Sequence, residues 1–215
     1  MSKREVLARL RDAIVNLDID GVKNAAREAL ETGLTPYEAI MEGMAKGMEV
    51  VGQKYEAGEY FLAELIMAGE TMKEGLSVLE PHMKAGDMKH IGRVVIGTVE
   101  GDLHDIGKNV VVTLLTASGF EVIDLGVDVS AEKFVEAVKQ YNPDIVAMSA
   151  LLTTTMVNMA KVIKALEEAG VRSKVKVIVG GAPLTEEYAR QIGADAYGRD
   201  AVEGVNICKK WASKK

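Results

Sequence analysis

The chain has 215 residues, 48% of them hydrophobic and 27% charged, with a net charge of −6. That length suits one or two domains with a buried core, and the acidic balance argues against a nucleic-acid backbone as the main partner. A single cysteine, Cys208, excludes an internal disulfide and points to a cytoplasmic protein; the N-terminus reads as an amphipathic helix with no signal peptide, and no apolar run reaches the roughly 18 residues of a membrane span.

In chain order, the first part reads as helix throughout. Val6, Leu7, Leu10, Ile14 and Leu17 recur at helical spacing. Asp20 opens a second helix through Leu30, which Gly33 ends. Thr35 as N-cap and Pro36 at the first helical position start a third, carrying Ile40, Met44, Met48 and Val51. Gly58 interrupts, a fourth helix runs from Tyr60 to Leu79, and Pro81 stops it. Four helices with short connections predict a four-helix bundle over residues 1–86. Met41, Met44, Met48, Met67 and Met72 fall in it, as flexible core packing or as a surface adaptable to a large flat ligand; spacing does not decide between them. Residues 81–90 are short and polar and read as a linker, with His82 and His90 solvated.

From there to the C-terminus, over 91–215, strand and helix signals alternate. Strands are expected at Val94–Val99, Glu121–Leu125, Asp144–Ser149, Val175–Val179 and Asp195–Tyr197. Helices are expected at Gly107–Ser118, Ser130–Tyr141, Thr155–Ala169, Thr185–Ile192 and Asp200–Ala212. The strands lack apolar–polar alternation, as when both faces are buried. Five such units predict a doubly wound, five-stranded parallel sheet. Ligands of such a sheet bind beyond the carboxyl ends of the strands where strand order reverses, between strands one and three in the order 2-1-3-4-5.

The loops at that place are unusual. After strand one comes Gly97-Thr98-Val99-Glu100-Gly101-Asp102-Leu103-His104-Asp105-Ile106-Gly107. The Asp102 carboxylate, two residues before His104, could accept a hydrogen bond from one imidazole nitrogen and leave the other for a metal. One histidine with no second His or Cys is a poor zinc site; it suits a metal whose other ligands come from a macrocycle. After strand three comes Ser149-Ala150-Leu151-Leu152-Thr153-Thr154-Thr155, and after strand four Gly180-Gly181-Ala182-Pro183. Together they predict a deep slot lined by small residues with hydroxyls at one rim. It is not a phosphate loop, since neither GxxxxGK[ST] nor GxGxxG occurs. Alone, an Asp-x-His pair reads as a locally bonded or solvated histidine, a Ser-x-Leu carries almost nothing, and a Gly-Gly reads as a turn. Only their joint placement on three loops at one end of the sheet points to a site.

These elements resemble the B12-binding signature Asp-x-His-x-x-Gly, Ser-x-Leu and Gly-Gly, here Asp102–Gly107, Ser149–Leu151 and Gly180–Gly181. The helical half resembles the cap domain of cobalamin-dependent methionine synthase. Nearly the whole chain resembles, more closely, the free-standing corrinoid proteins of the methanol and methylamine methyltransferase systems. The resemblance implies a helical cap before a flavodoxin/Rossmann-like domain that binds cobalamin or a related corrinoid, with the nucleotide tail in the slot. It implies His104 as lower ligand of the cobalt, Asp102 on its second nitrogen, and Thr155 continuing the relay where methionine synthase has serine. Gly101, Leu103, Asp105, Ile106 and Gly107 complete the cofactor loop. Ser149 bonds the buried benzimidazole, Leu151 and Thr153 contact the tail or corrin, and Gly180 and Gly181 leave room. On the cap, Tyr55 and Leu62 shield the methyl face, and Glu42 matches a weaker contact across a one-residue gap.

The implied function is a methyl shuttle, not catalytic alone. Cob(I)alamin takes a methyl group from a substrate-specific methyltransferase, and methylcob(III)alamin passes it to a second methyltransferase acting on coenzyme M or tetrahydrofolate. A reductive activation protein is a further partner; nucleic acid and membrane are not. A cap that both shields the methyl face and admits a partner swings aside on the linker. The rivals are a B12-dependent sensor, which would add a DNA-binding domain; a B12-binding subunit of a mutase, which leaves the bundle unexplained; and a receiver module, which needs an aspartate where Ser149 stands. Donor and acceptor are not legible in the sequence.

Overall fold

The computed structural model describes residues 2–83 and 90–213. The chain forms two units, a helical one and an α/β one that starts at His90. Most of the linker expected over 81–90 lies outside the described residues, and before it Glu80–His82 forms a 3-10 turn.

In the helical unit, α1 (Lys3–Val15) starts at a reciprocal Ser2–Glu5 capping box and buries Val6, Leu10, Ala13 and Ile14. The second helix, α2 (Ile19–Glu31), is capped by Asp18, whose carboxylate accepts from the Gly21 amide at 2.8 Å. The expected opening at Asp20 is therefore two residues late. Asp20 sits in the first turn, where negative charge complements the helix dipole but no capping bond is made. The third helix opens as expected at the Thr35–Glu38 box with α3 (Pro36–Glu38), then widens into a π segment (Ala39–Met44) before α4 (Ala45–Glu56). The expected row Ile40, Met44, Met48 and Val51 is buried all the same, so apolar spacing carries no mark of the wider turn. The fourth, α5 (Leu62–Leu79), starts two residues after Tyr60, where the Glu64 carboxylate accepts from the Phe61 amide at 2.8 Å.

The α/β unit follows the expected alternation. Its elements are β1 (Arg93–Thr98), α6 (Ile106–Ala117), β2 (Glu121–Asp124), α7 (Ala131–Tyr141) and β3 (Ile145–Ser149). Then come α8 (Thr153–Met156), α9 (Asn158–Glu168), β4 (Lys176–Gly180), α10 (Glu186–Gln191), β5 (Ala196–Gly198) and α11 (Ala201–Ala212). The helix expected at Thr155–Ala169 begins earlier and is broken at Val157 into α8 and α9. All five strands are parallel, in the order β2-β1-β3-β4-β5. The central strands bury Val94, Val95, Ile96, Ile145, Val146, Val177, Ile178 and Val179, which is why they read as continuous apolar runs.

Register sets which residues end the strands side by side. Thr98 pairs with Ser149, Ser149 with Gly180, and Gly180 with Gly198. Four small residues thus form one row across the carboxyl edge of the sheet.

Candidate functional site

The loop between β1 and α6 leaves the sheet at that row. Val99 still pairs, its amide donating to the Ser149 carbonyl at 3.0 Å. Gly101 then adopts a φ of +80°, which turns the chain back, and Asp102 points inward, fully buried. Its two carboxylate oxygens accept four hydrogen bonds. One oxygen takes the His104 amide at 3.1 Å and His104 Nδ1 at 2.7 Å. The other takes the Leu151 amide at 2.8 Å and the Thr155 hydroxyl at 2.6 Å.

Burial by itself would raise the Asp102 carboxyl; the hydrogen bonds from Thr155, Leu151 and His104 outweigh it and hold the group far below the usual carboxylate range. An ionised Asp102 can only accept, so a neutral His104 carries its proton on Nδ1 and keeps its lone pair on Nε2. The His104 side chain is 50% exposed against 0% for Asp102. The result is an oriented imidazole with a free donor atom at the surface, backed by a buried carboxylate.

The structure brings Asp102, His104, Leu151 and Thr155 together. Around them, Leu103 and Ile106 are 71% and 65% exposed and Leu151 44%, an apolar surface on either side of His104 in the chain. Asp105 is exposed and accepts from the Asn109 side chain at 3.1 Å. Among the described residues, its chain neighbours and the backbone of its own helix aside, no atom comes within 4 Å of a Cβ placed on Gly107, so no close approach calls for glycine there. Ser149 ends β3 half-buried, and Thr153 is exposed at the start of α8. The glycine pair, by contrast, has a reason inside the chain. Gly181 has a φ of +136°, and a Cβ there would lie 1.8 Å from the Ala150 carbonyl oxygen; at Gly180 it would lie 3.2 Å from that of Gly198. Tyr55, Leu62 and Glu42 belong to the helical unit: Tyr55 half-buried in α4, Leu62 exposed at the start of α5, Glu42 exposed in the π segment.

Several residues that hold the loop carried no signal in the sequence. The buried Thr98 hydroxyl donates to the His104 carbonyl at 3.0 Å. Asp128, in the connection after β2, accepts from the Gly101 amide at 2.7 Å, and its own amide donates to the Asp102 carbonyl at 3.0 Å. The Asn158 side chain donates to the Glu100 carbonyl at 2.7 Å. Lys108 is buried and donates to Asp124 at 2.5 Å and to Asn109 at 2.7 Å, tying the first turn of α6 to β2. Only the φ of +53° at Asp128 marks any of them as unusual, and that is a property of the fold.

The donor chemistry fits a corrin. Among the described residues no group of three or more His, Cys, Asp or Glu is placed to hold a metal ion. One imidazole nitrogen is what a cobalt needs when a macrocycle supplies its equatorial ligands, and the exposed apolar side chains next to it suit a flat, largely apolar ring. A receiver's acceptor is lacking, since Ser149 closes β3.

Comparison with known proteins agrees. A family model described as B12 binding domain matches residues 92–206, and a second of the same description matches residues 6–80. The chain is 48% identical to trimethylamine corrinoid protein 2 of Methanosarcina acetivorans, over 96% of each chain. It is 47% identical to dimethylamine corrinoid protein 2 of the same organism, over 97% of each. Among solved structures, the methanol:cobalamin methyltransferase complex MtaBC of Methanosarcina barkeri is similar with a TM-score of 0.87 at 33% identity, covering 98% of this chain and 81% of that one. A cobalamin-binding protein of Desulfitobacterium hafniense is similar with a TM-score of 0.79 at 37% identity, covering 95% and 98%.

Proposed function

Because the chain belongs to the corrinoid proteins with a B12 binding domain, we propose that it carries methyl groups from methylated amines between two methyltransferases. Its cofactor is cobalamin or a related corrinoid. The amine donors are suggested by the tri- and dimethylamine corrinoid proteins it resembles. The first partner is a substrate-specific methyltransferase, and the second passes the group to coenzyme M or a tetrahydrofolate. A reductive activation protein is a further partner. The setting is cytoplasmic, in keeping with the single buried thiol; no helix among the described residues is long and apolar enough to cross a membrane.

The observation that carries this reading is the Thr155–Asp102–His104 relay with Nε2 left free. When bound, the corrinoid supplies a cobalt that is nucleophilic in its reduced form and yields a methyl group to a thiol or amine acceptor in its methylated form. Everything else falls to the chain. His104 Nε2 would hold the cobalt. Asp102 holds the Nδ1 proton, so the donor strength of Nε2 depends on a carboxylate that is itself held ionised by Thr155 and Leu151. Gly101, Asp105 and Gly107 shape the loop, while Leu103, Ile106 and Leu151 offer the ring an apolar face. Ser149 and Thr153, with the bare backbone of Gly180 and Gly181, receive the nucleotide tail. On the strength of the resemblance, Tyr55, Leu62 and Glu42 act on the methyl side.

The test is reconstitution of the apo protein with cobalamin, followed by methyl transfer with methyltransferases for methanol and for mono-, di- and trimethylamine. We expect stoichiometric corrinoid uptake, a changed cobalt spectrum in His104→Ala, and methylation with one of the amine enzymes. Failure to take up corrinoid, or an unchanged spectrum in His104→Ala, refutes the site. Methylation with the methanol enzyme alone refutes the donor class.

A further inference from the structure

We infer that Asp128 is a positioning residue for the lower ligand: from a connection remote in sequence it fixes the backbone of Asp102, and through it the direction of His104 Nε2. The inference rests on His104 being the cobalt ligand.

The Asp102 carboxylate receives bonds from three places: its own loop at His104, the loop after β3 at Leu151, and α8 at Thr155. An aspartate has one methylene between backbone and carboxylate, so it cannot reach back to correct a displaced main chain. All four bonds therefore hold only if the Asp102 backbone is fixed. Two hydrogen bonds fix it. The Asp102 amide donates to the Val99 carbonyl at 3.1 Å within the loop, and the Asp102 carbonyl accepts from the Asp128 amide at 3.0 Å. The preceding residue is held by the same partner, since the Gly101 amide donates to the Asp128 carboxylate at 2.7 Å. Asp128 thus grips two consecutive residues of the turn, one through its side chain and one through its backbone.

Asp128 is itself well supported. Thr98 donates from its amide to the Gly126 carbonyl and accepts at its own carbonyl from the Val129 amide, both at 3.0 Å. Val99 and Val129 form a parallel bridge. The segment from Gly126 to Val129 is thereby tied to the end of β1. Asp128 adopts a φ of +53°, a conformation that side chains other than asparagine and aspartate rarely tolerate. A left-handed residue held on both sides and hydrogen-bonded to the ligand loop is the kind of local strain that persists where geometry matters. A turn needing only closure would be served as well by glycine.

Substitution by glycine and by asparagine therefore separates the two roles. Asp128→Gly keeps the left-handed conformation and removes the carboxylate; Asp128→Asn keeps both the conformation and an acceptor oxygen. Each holo protein, with the His104→Ala control, is prepared with isotopically labelled histidine and studied by electron paramagnetic resonance in the Co(II) state. The splitting from an axial nitrogen identifies histidine and separates it from the cofactor's own base. We expect Asp128→Gly to shift the balance toward the form without histidine by about tenfold, the effect of losing one hydrogen bond, and Asp128→Asn, which keeps an accepting oxygen, to stay close to the wild type. Histidine NMR of the apo proteins gives a readout that does not depend on cofactor retention: the Nδ1–H form of His104 should lose population in Asp128→Gly only. Wild-type histidine coupling and tautomer in Asp128→Gly overturn the proposal even if its melting temperature falls. So does an Asp128→Asn variant that behaves like Asp128→Gly. An unchanged signal in His104→Ala is a different failure, that of the ligand assignment itself.

Discussion

Replacing Asp102 by asparagine tests the centre of the site with almost no change of shape. The carboxylate accepts four hydrogen bonds and donates none. An amide has one accepting oxygen and one donating nitrogen, so it cannot satisfy both sides. If the oxygen stays toward His104, the nitrogen faces Thr155 and Leu151. The Thr155 hydroxyl can then turn to the Leu152 carbonyl, already 3.1 Å away, and accept. The Leu151 amide has no such freedom and is left facing a donor, at a cost of about 1–3 kcal/mol. The bonds to His104 also lose their charge, and the total comes to roughly 2–4 kcal/mol. That corresponds to a fall in Tm of roughly 4–16 °C. If the amide turns the other way, Nδ1 must accept, Nε2 becomes the protonated nitrogen, and the ligand is lost. Thermal unfolding of the apo proteins measures the first effect, and the cobalt spectrum after reconstitution measures the second. The difference should depend on pH. The folded Asp102 carboxyl lies below its ordinary value of 3.8, so its contribution is complete above that value and drains away as pH falls below it. A variant as stable as wild type at neutral pH, or a stability gap that persists undiminished into acid, would refute the account of a buried, four-bonded carboxylate.

Three further outcomes are expected. Thr155→Val leaves one Asp102 oxygen with the Leu151 amide alone and should cost about 1–3 kcal/mol in denaturant unfolding, while Thr155→Ser should recover most of it; a Thr155→Val variant as stable as wild type beside a destabilised Thr155→Ser would show that the methyl group, not the hydroxyl, matters. Gly181→Ala should destabilise the apo protein by about 1–3 kcal/mol, because its Cβ meets the Ala150 carbonyl at a left-handed φ; a variant within about 0.5 kcal/mol of wild type would return the glycine to the cofactor as its only reason. Cys208 is buried, and burial pushes its thiol up to about 12, so at mildly alkaline pH a thiol reagent should modify it only at the rate of unfolding; rapid labelling of the folded protein would contradict the packing of α11.

Much of this protein was legible in its sequence because the deciding interactions are local. Helical spacing of apolar residues, the Thr35–Glu38 box and the alternation of β-branched runs with capped helices act over a few residues, and the architecture follows from them. The Asp102–His104 pair is equally local, two residues apart on one loop, and its chemistry could be read before any coordinates. Where local signals compete, reading fails: Asp18 and Asp20 are both plausible caps, and only the backbone at Asp18 decides. The π segment leaves the buried row of α4 unaltered and so has no signature. The rest of the site was settled by strand order and register alone. Placing β1 between β2 and β3 brings Asp128 to Gly101 across 27 residues, Thr155 to Asp102 across 53 and Asn158 to Glu100 across 58. Hydrogen bonds at such separations leave no periodicity or spacing in the chain. They exist because parallel pairing aligns Thr98, Ser149 and Gly180 in one row, so that the loops leaving those strands emerge side by side.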